Sequence, residues 1–265
     1  MLIYAIKRVL LAVLILFVVM LGMYAMVFLV PGDPASIALG PRATPELKAL
    51  LIERMGLDQP VLVQVWNFFR NAATGNLGFD VWSRRPVLDV ILEAFPKTLM
   101  LGLVALGWAL VCGIGLGCLA VVYRGTLLDR LLGILSVGMI SVPSFVIALY
   151  SLLIFAVWLG WLPAIGAGEA GDFKSQFLAI LLPAFSIGIT WVGYIARLVR
   201  ASMLEVMGAN HIRTARAFGL PERIVVFRYA LRIAIIPTIA ILAVGLGSVL
   251  SLAVFVESVF SRPGI

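Results

Sequence analysis

The sequence predicts an all-α, polytopic membrane protein with five helical spans, and two observations carry that prediction. Hydrophobic residues fill 63% of the 265 positions and charged ones only 12%, far outside the range of a soluble domain. The apolar residues also gather into five runs, over residues 9–30, 98–123, 131–161, 177–196 and 233–256. Each supplies the roughly twenty residues that cross about 30 Å of hydrocarbon as a helix. Only helices or closed barrels satisfy their backbone bonds in lipid, and these runs are too long for barrel strands.

The first run carries no charge. It is too long for a signal peptide's apolar core and has no clear small-residue cleavage site, so it reads as a retained helix over residues 1–30. Pro31-Gly32-Asp33-Pro34 is a turn that ends it. Residues 31–97 form a second, ordered segment. There Thr44 caps a helix running from Pro45 to Gly56, with Leu47, Leu50 and Leu51 on one side. A second amphipathic helix over 60–72 buries Val61, Val65 and Phe69, and Gly75-Asn76-Leu77-Gly78 is a turn. A third short helix covers 86–94, with Val87, Val90 and Ile91 inward. These helices either lie at the membrane interface or form a small cap, and the cap is the preferred reading.

Residues 98–265 hold the other four spans. In the second span Gly113 and Gly117 stand one turn apart, which lets another helix approach closely. Cys112 and Cys118 share that helix, cannot reach each other, and read as core filling. The third span is interrupted by Ser141-Val142-Pro143-Ser144-Phe145, where proline removes a backbone bond and bends the helix. The bend is either a packing kink or the lining of a path, with freed carbonyls and hydroxyls facing water. Pro183 and Pro237 bend the fourth and fifth spans nearer their ends. Glu257 is an acid at the outer end of the fifth. An intramembrane carboxylate points to function by default, but at a helix end it reaches the interface and anchors the following turn. That turn, Ser261-Arg262-Pro263-Gly264-Ile265, after an odd number of spans, reads as an interruption before a sixth.

The net charge of +7 is a topological signal rather than a nucleic-acid one. Lys7 and Arg8 precede the first span, Arg124 and Arg130 lie between the second and third, and seven basic residues fall within 197–232. The short loops on the other side hold Lys174 and Arg262. The positive-inside rule puts the first group, and the amino terminus, in the cytoplasm. Residues 31–97 are then outside, with seven basic residues balanced by seven acids.

The segment 197–232 is the most informative polar stretch. Leu204, Met207, Gly208, Ile212, Ala215 and Phe218 recur at helical spacing as one apolar stripe. Gly219 breaks the pattern, and Pro221 opens a second helix as its first residue. A basic helix–glycine–helix loop suits docking on a partner better than chemistry. The chemistry is in fact missing. The sequence has no phosphate-binding loop ending in Lys-Ser or Lys-Thr, no His-Glu-x-x-His and no pair of carboxylates within the spans. The sole histidine, His211, lies in the same loop as a solvated or packed side chain, away from any serine nucleophile in a span. No selectivity filter, voltage-sensing span or proton relay is visible. Energy for any transport has to come from a partner.

Within that loop, Arg213-Thr214-Ala215-Arg216-Ala217-Phe218-Gly219-Leu220 resembles the EAA loop of ABC-importer permeases, in the variant of the dipeptide, oligopeptide and nickel group. Arg213-Thr214-Ala215 stands where the wider family carries Glu-Ala-Ala, and Leu231-Arg232 where it carries Leu-Pro. Similarities to that subgroup continue through Lys7-Arg8, Pro31-Gly32-Asp33-Pro34-Ala35, Gly56-Leu57-Asp58-Gln59-Pro60, Gly75-Asn76-Leu77-Gly78, Pro96-Lys97-Thr98-Leu99, Ser141 to Phe145 and Glu257-Ser258-Val259-Phe260-Ser261. The series, in order along nearly the whole chain, is what makes the resemblance specific.

The resemblance implies the type I importer permease fold, with a sixth span beyond residue 265, in a bacterial inner membrane. It implies a non-catalytic half-channel that pairs with a second, similar permease and sits on two ATPase subunits, alike or different, which bind ATP and Mg²⁺. A periplasmic or lipid-anchored binding protein delivers the solute. The coupling helix before Gly219 docks on the ATPase through Arg213 and Arg216, and Gly219 makes the turn. The alternative for each arginine, independent of the resemblance, is a lipid-headgroup contact, which is the reading for Arg197 and Arg200. Short peptides are the expected solute, with nickel or another small solute as the alternative. A scaffold or receptor that transports nothing, or a passive channel, is the alternative from another class.

Overall fold

The computed structural model describes residues 2–29, 40, 44–46, 48–49, 52, 58–80, 83, 85–169 and 171–264. These are helical almost throughout, and among the described residues the only extended pairing is an isolated bridge between Phe79 and Pro86. The chain divides into two compact units, Met1–Leu92 and Glu93–Ile265.

In the first unit, α1 (Leu2–Leu29) is a single helix whose apolar side chains face outward along its described length. Helix α2 (Val61–Ala73) matches the second expected amphipathic helix, but only part of its expected core is buried. Val65 is buried, Phe69 is half-buried and stacks on Phe17 at 5.1 Å, and Val61 is exposed. The turn at Asn76 closes through its own side chain, whose Oδ1 accepts from the Gly78 N–H at 3.0 Å. The turn at Pro31-Gly32-Asp33-Pro34 and most of the helix expected over 45–56 lie outside the described residues.

Helix α3 (Val87–Val122) corrects the boundary expected near residue 97. The third short helix and the second span are one continuous helix that runs through Pro96. A proline inside a helix removes one bond and crowds the carbonyl a turn back, but here the flanking turns hold the helix together.

The second unit is built on α6 (Phe173–Val206), the most deeply buried of the long apolar helices. Asp172 caps it, its Oδ1 accepting from the Lys174 N–H at 2.9 Å. Pro183 lies inside it. Helices α4 (Leu127–Ser141) and α5 (Ser144–Ser151) pack on α6, and α5 continues as a π-helical stretch, Leu152–Trp158. The expected bend at Pro143 is a 96° break, so the third span is two helices. After α6 come α7 (Asn210–Ala217), the short α8 (Glu222–Ile224), a π-helical stretch Val225–Ala230, α9 (Leu231–Ala234) and α10 (Ile236–Val259). Pro237 sits in the first turn of α10, where its missing N–H costs no bond, so it starts that helix rather than bending it.

Among the described residues, α1, α3, α6 and α10 are long and apolar enough to span, and the broken pair α4–α5 makes a fifth crossing if counted as one. Two apolar cores hold this unit. One gathers Ala109, Cys118, Val121, Val199, Met203, Ile212, Val225 and Ala234; the other gathers Leu101, Ala148, Ile180, Ile187, Val249 and Phe260. The glycine pair of α3 works as its spacing implies. A Cβ on Gly113 would sit 2.7 Å from the Ile195 Cβ, and one on Gly117 2.8 Å from the Val199 Cβ. Helices α3 and α6 therefore touch backbone to side chain. Hydroxyls add polar links, with Ser151 and Ser186 3.1 Å apart between α5 and α6. Cys118 is in the core, whereas Cys112, expected there too, is exposed, because six positions along α3 turn it onto a different face.

Candidate coupling loop and its supports

The loop after α6 differs from the single apolar stripe that its spacing suggested. Helix α6 runs on to Val206 because Val199 and Met203, a turn apart, are both fully buried. The chain then turns at Met207–Ala209, with Gly208 N–H bonded to the Glu205 carbonyl at 3.2 Å and Ala209 N–H to the Val206 carbonyl at 2.9 Å. A new helix, α7, starts at Asn210. The expected stripe is thus split between two helices, and its last member, Phe218, is 81% exposed rather than packed.

Within α7, Ile212 and Ala215 face inward and are buried in the core that also holds Val199, Met203, Val225 and Val226. Arg213, Thr214, Ala217 and Phe218 face outward. The Thr214 hydroxyl donates to the Asn210 carbonyl at 3.1 Å and closes the first turn. His211 is exposed on the same helix.

The helix ends at a glycine in the left-handed region, Gly219, with φ of +72°. Its N–H donates to the Arg216 carbonyl at 2.9 Å and the Leu220 N–H to the Ala215 carbonyl at 3.4 Å, the paired bonds of a Schellman ending. Nothing lies within 4 Å of a Cβ built there. Backbone conformation rather than space therefore calls for glycine. Pro221 lies one position earlier than expected, at the N-cap of α8.

Arg216 is engaged inside the loop. Its Nε and Nη2 donate to the Glu222 carboxylate at 3.2 and 2.5 Å, across the glycine turn. Those hydrogen bonds hold the Glu222 carboxyl below its ordinary range and raise Arg216 above its own. Arg213 has no hydrogen bond or ion pair among the described residues.

Two further supports hold the unit, and the pairing in each was not read from the sequence. Arg200 on α6 donates from Nε and Nη2 to both oxygens of Asp129 at the start of α4, at 2.8 and 2.9 Å. Asp129 Oδ2 also accepts from the Gly125 N–H at 3.1 Å. Arg200, expected at lipid headgroups, is therefore half of an internal ion pair. The available signal was that Asp129 is the only acid among residues 98–161. At the other end of the unit Glu257 does not reach out to the interface. It is 3% exposed and accepts from the Thr98 hydroxyl at 2.9 and 3.1 Å. It still anchors the following turn, whose Arg262 N–H donates to the Glu257 carbonyl at 2.9 Å. A side chain on Gly264 would collide with the Glu257 carboxylate.

The break in the third span brings Pro143, Ser144 and Phe145 to the wall of a cavity of about 540 Å³. Ser141 stands just outside it, its hydroxyl bonded to the Val137 carbonyl at 2.8 Å. Among the described residues no group of three His, Cys, Asp or Glu side chains is placed to hold a metal ion.

Comparison with known proteins adds an independent line. Residues 109–265 match the family model described as binding-protein-dependent transport system inner membrane component. Residues 1–102 match the model for the N-terminal part of such membrane components. The chain is 37% identical over 262 residues to the glutathione transport system permease protein GsiC of Shigella flexneri serotype 5b and to that of Escherichia coli strain K12. These alignments cover 99% of this chain and 83% of each relative. The GsiC protein of Shigella boydii serotype 4 is 36% identical over the same length.

Proposed function

Because this chain belongs to the family of binding-protein-dependent transport system inner membrane components, the permeases of ABC importers, we propose that it forms half of the path of an importer for short peptides. The family makes it a multi-pass inner-membrane transport subunit of the peptide and nickel group. The peptide assignment rests on relatives named for transport of glutathione, a peptide-like solute. In this reading the amino terminus and α7 face the cytoplasm. A second, similar permease completes the path. Two ATPase subunits dock from below with their own ATP and Mg²⁺, and a binding protein delivers solute from outside. This chain performs no chemistry.

One observation carries the mechanism: Ile212 and Ala215 seat α7 in the same core as Val199 and Met203 of α6. A pull on α7 is therefore a pull on α6, because close-packed interiors transmit displacement rather than absorb it. On the outward face, Phe218 supplies an apolar knob and Arg213 a cation for the ATPase surface. Arg216 is bound to Glu222 and shapes the turn that presents them. When the ATPases close on ATP, α7 moves with them and the bundle rocks from inward- to outward-facing as a rigid body.

The test is reconstitution of the purified complex with its binding protein in vesicles, followed with labelled glutathione, di- and tripeptides and Ni²⁺. Uptake of peptide that needs ATP and stops with ATPase-dead partners is the expected result. Uptake that persists with dead partners makes the protein a passive channel. Uptake of Ni²⁺ without peptide moves the substrate assignment, and a chain that retains no ATPase on purification is a scaffold.

A further inference from the structure

One face of α6 remains unexplained by packing or by the loop. Thr190, Tyr194 and Arg197 follow one another at intervals of four and three residues, and Leu198 stands four after Tyr194, so they lie along one side of the helix. Two cavities lie along that face. The larger, about 540 Å³, is lined by Thr190 together with Ile140, Pro143, Phe145, Leu252 and Phe255. The smaller, about 280 Å³, is lined by Ile140, Tyr194, Arg197 and Leu198. Ile140 lines both, so the two are neighbours on this face of α6 and are together called the groove.

The polar groups of this groove lack partners. The Thr190 Oγ1 is buried and has no hydrogen bond among the described residues. Several hydroxyls elsewhere in these helices bond to the carbonyl one turn back, as those of Ser136, Ser141, Ser186, Ser251 and Ser258 do, whereas the Thr238 Oγ1 on α10 is, like that of Thr190, buried without a partner among the described residues. Leaving a buried hydroxyl unmatched is unfavourable unless something else meets it. Arg197 likewise has no hydrogen bond or ion pair among the described residues, unlike Arg200 one turn on. A face with a threonine, a tyrosine and an arginine does not suit lipid tails, and an ionisable side chain on a spanning helix ordinarily marks a solute path.

We propose that this groove binds the transported peptide, with an apolar side chain in the larger cavity, a backbone amide on the Thr190 hydroxyl and the terminal carboxylate on Arg197. The inference rests on the peptide-importer reading and adds to it the residues that read the solute. Charge selects the occupant, because a guanidinium without a carboxylate is complemented by the free carboxyl end of a peptide. Length agrees. Arg197 stands seven positions after Thr190, about 10 Å along a helix, and an extended chain of about three residues spans the same distance.

The experiment uses the complete transporter in vesicles, with Cys112→Ser removing the exposed thiol. Thr190→Cys and Tyr194→Cys are introduced singly and treated during ATP turnover with a membrane-impermeant methanethiosulfonate. Both positions are expected to react, and saturating tri-alanine to slow the reaction several-fold. Tri-alanine amide should protect much less, and Arg197→Gln should remove the difference between acid and amide. In uptake, Thr190→Val should raise KM about tenfold with kcat little changed, and Thr190→Ser should restore it. Failure of both cysteines to react in any state means that the second permease or lipid covers this face, and overturns the proposal. Equal protection by acid and amide, or none by either, overturns it as well. A complex whose cysteines react but which imports no peptide refutes the importer reading instead, since accessibility is measured without import.

Discussion

Arg200 and Asp129 meet in a two-pronged ion pair that joins the C-terminal part of the second unit's central helix to the start of α4. The Asp129 side chain is 8% exposed and that of Arg200 35%. The geometry, with two parallel N–H···O bonds, is the most directional that this pair of side chains allows. The pair sits between the bend at Pro143 and the loop at α7, so it makes α4 follow α6 when α7 is pulled.

Removing one partner leaves the other charge half-buried and unmatched. Asp129→Asn should destabilise the complex by about 1–3 kcal/mol, below the range of a fully buried pair because Arg200 is partly solvated. Thermal unfolding in detergent measures this. ATP hydrolysis should persist while uptake per ATP falls, and exchanging the charges as D129R with R200D should recover part of the loss. Unchanged coupling in Asp129→Asn would show that α4 does not travel with α6.

Gly219→Val places a β-branched residue at a φ of +72°. The left-handed backbone costs such a residue about 1–2 kcal/mol, enough to unwind the end of α7. Uptake per ATP should drop, whereas Gly219→Asn, which tolerates that region, should retain most of it.

On the outer face of α7, Phe218→Ala and Arg213→Glu should each weaken retention of the ATPase on an affinity column, and together abolish it. Arg216→Gln should act differently, loosening the turn while weakening docking less. A double variant at 213 and 218 that still holds its ATPase would remove docking from this face.

The Arg216–Glu222 pair has a defined pH dependence. The Glu222 pKa is depressed by hydrogen bonds from Arg216, so the pair's contribution is full above the ordinary glutamate value. It is lost as pH falls through the lower, folded value. Amide protection at residues 217–220 and 222, taken relative to the intrinsic exchange rate at each pH, should be flat near neutrality and fall in acid, and Glu222→Gln should remove that acid response. Both groups are largely exposed, so salt should also weaken the pair.

Gly113→Leu should force α3 from α6 and cost about 1–3 kcal/mol as overpacking, read as lost expression or a lowered Tm. Gly107→Ala on the same helix is the control, because nothing lies within 4 Å of its Cβ position. It should be neutral or slightly stabilising.

Much of this was legible from residue order. The crossings follow from run length and hydropathy, the break in the third span from Pro143, and the end of α7 from Gly219. Each of these is a property of a few adjacent residues. The merging of residues 86–94 with the second span was not legible, because Pro96 reads locally as a stop and only the intact helix around it overrides that signal. The exposure of Phe218 was hidden for a similar reason. Its spacing continues the stripe of Ile212 and Ala215, but the chain turns at Met207–Ala209 and rotates that stripe onto a separate helix.

The amino-acid sequence alone determined that this is a helical membrane protein with its cationic loop gathered at one end, because lipid imposes length, polarity and backbone satisfaction on every span separately. Tertiary structure alone decided which polar side chains are spent on the fold and which are left over. Asp129 finds Arg200 across 71 positions and Thr98 finds Glu257 across 159, while Thr190 and Arg197 find no one among the described residues. Such pairings depend on which helix faces meet. A linear pattern of apolar residues marks a face as buried but does not name the face it meets.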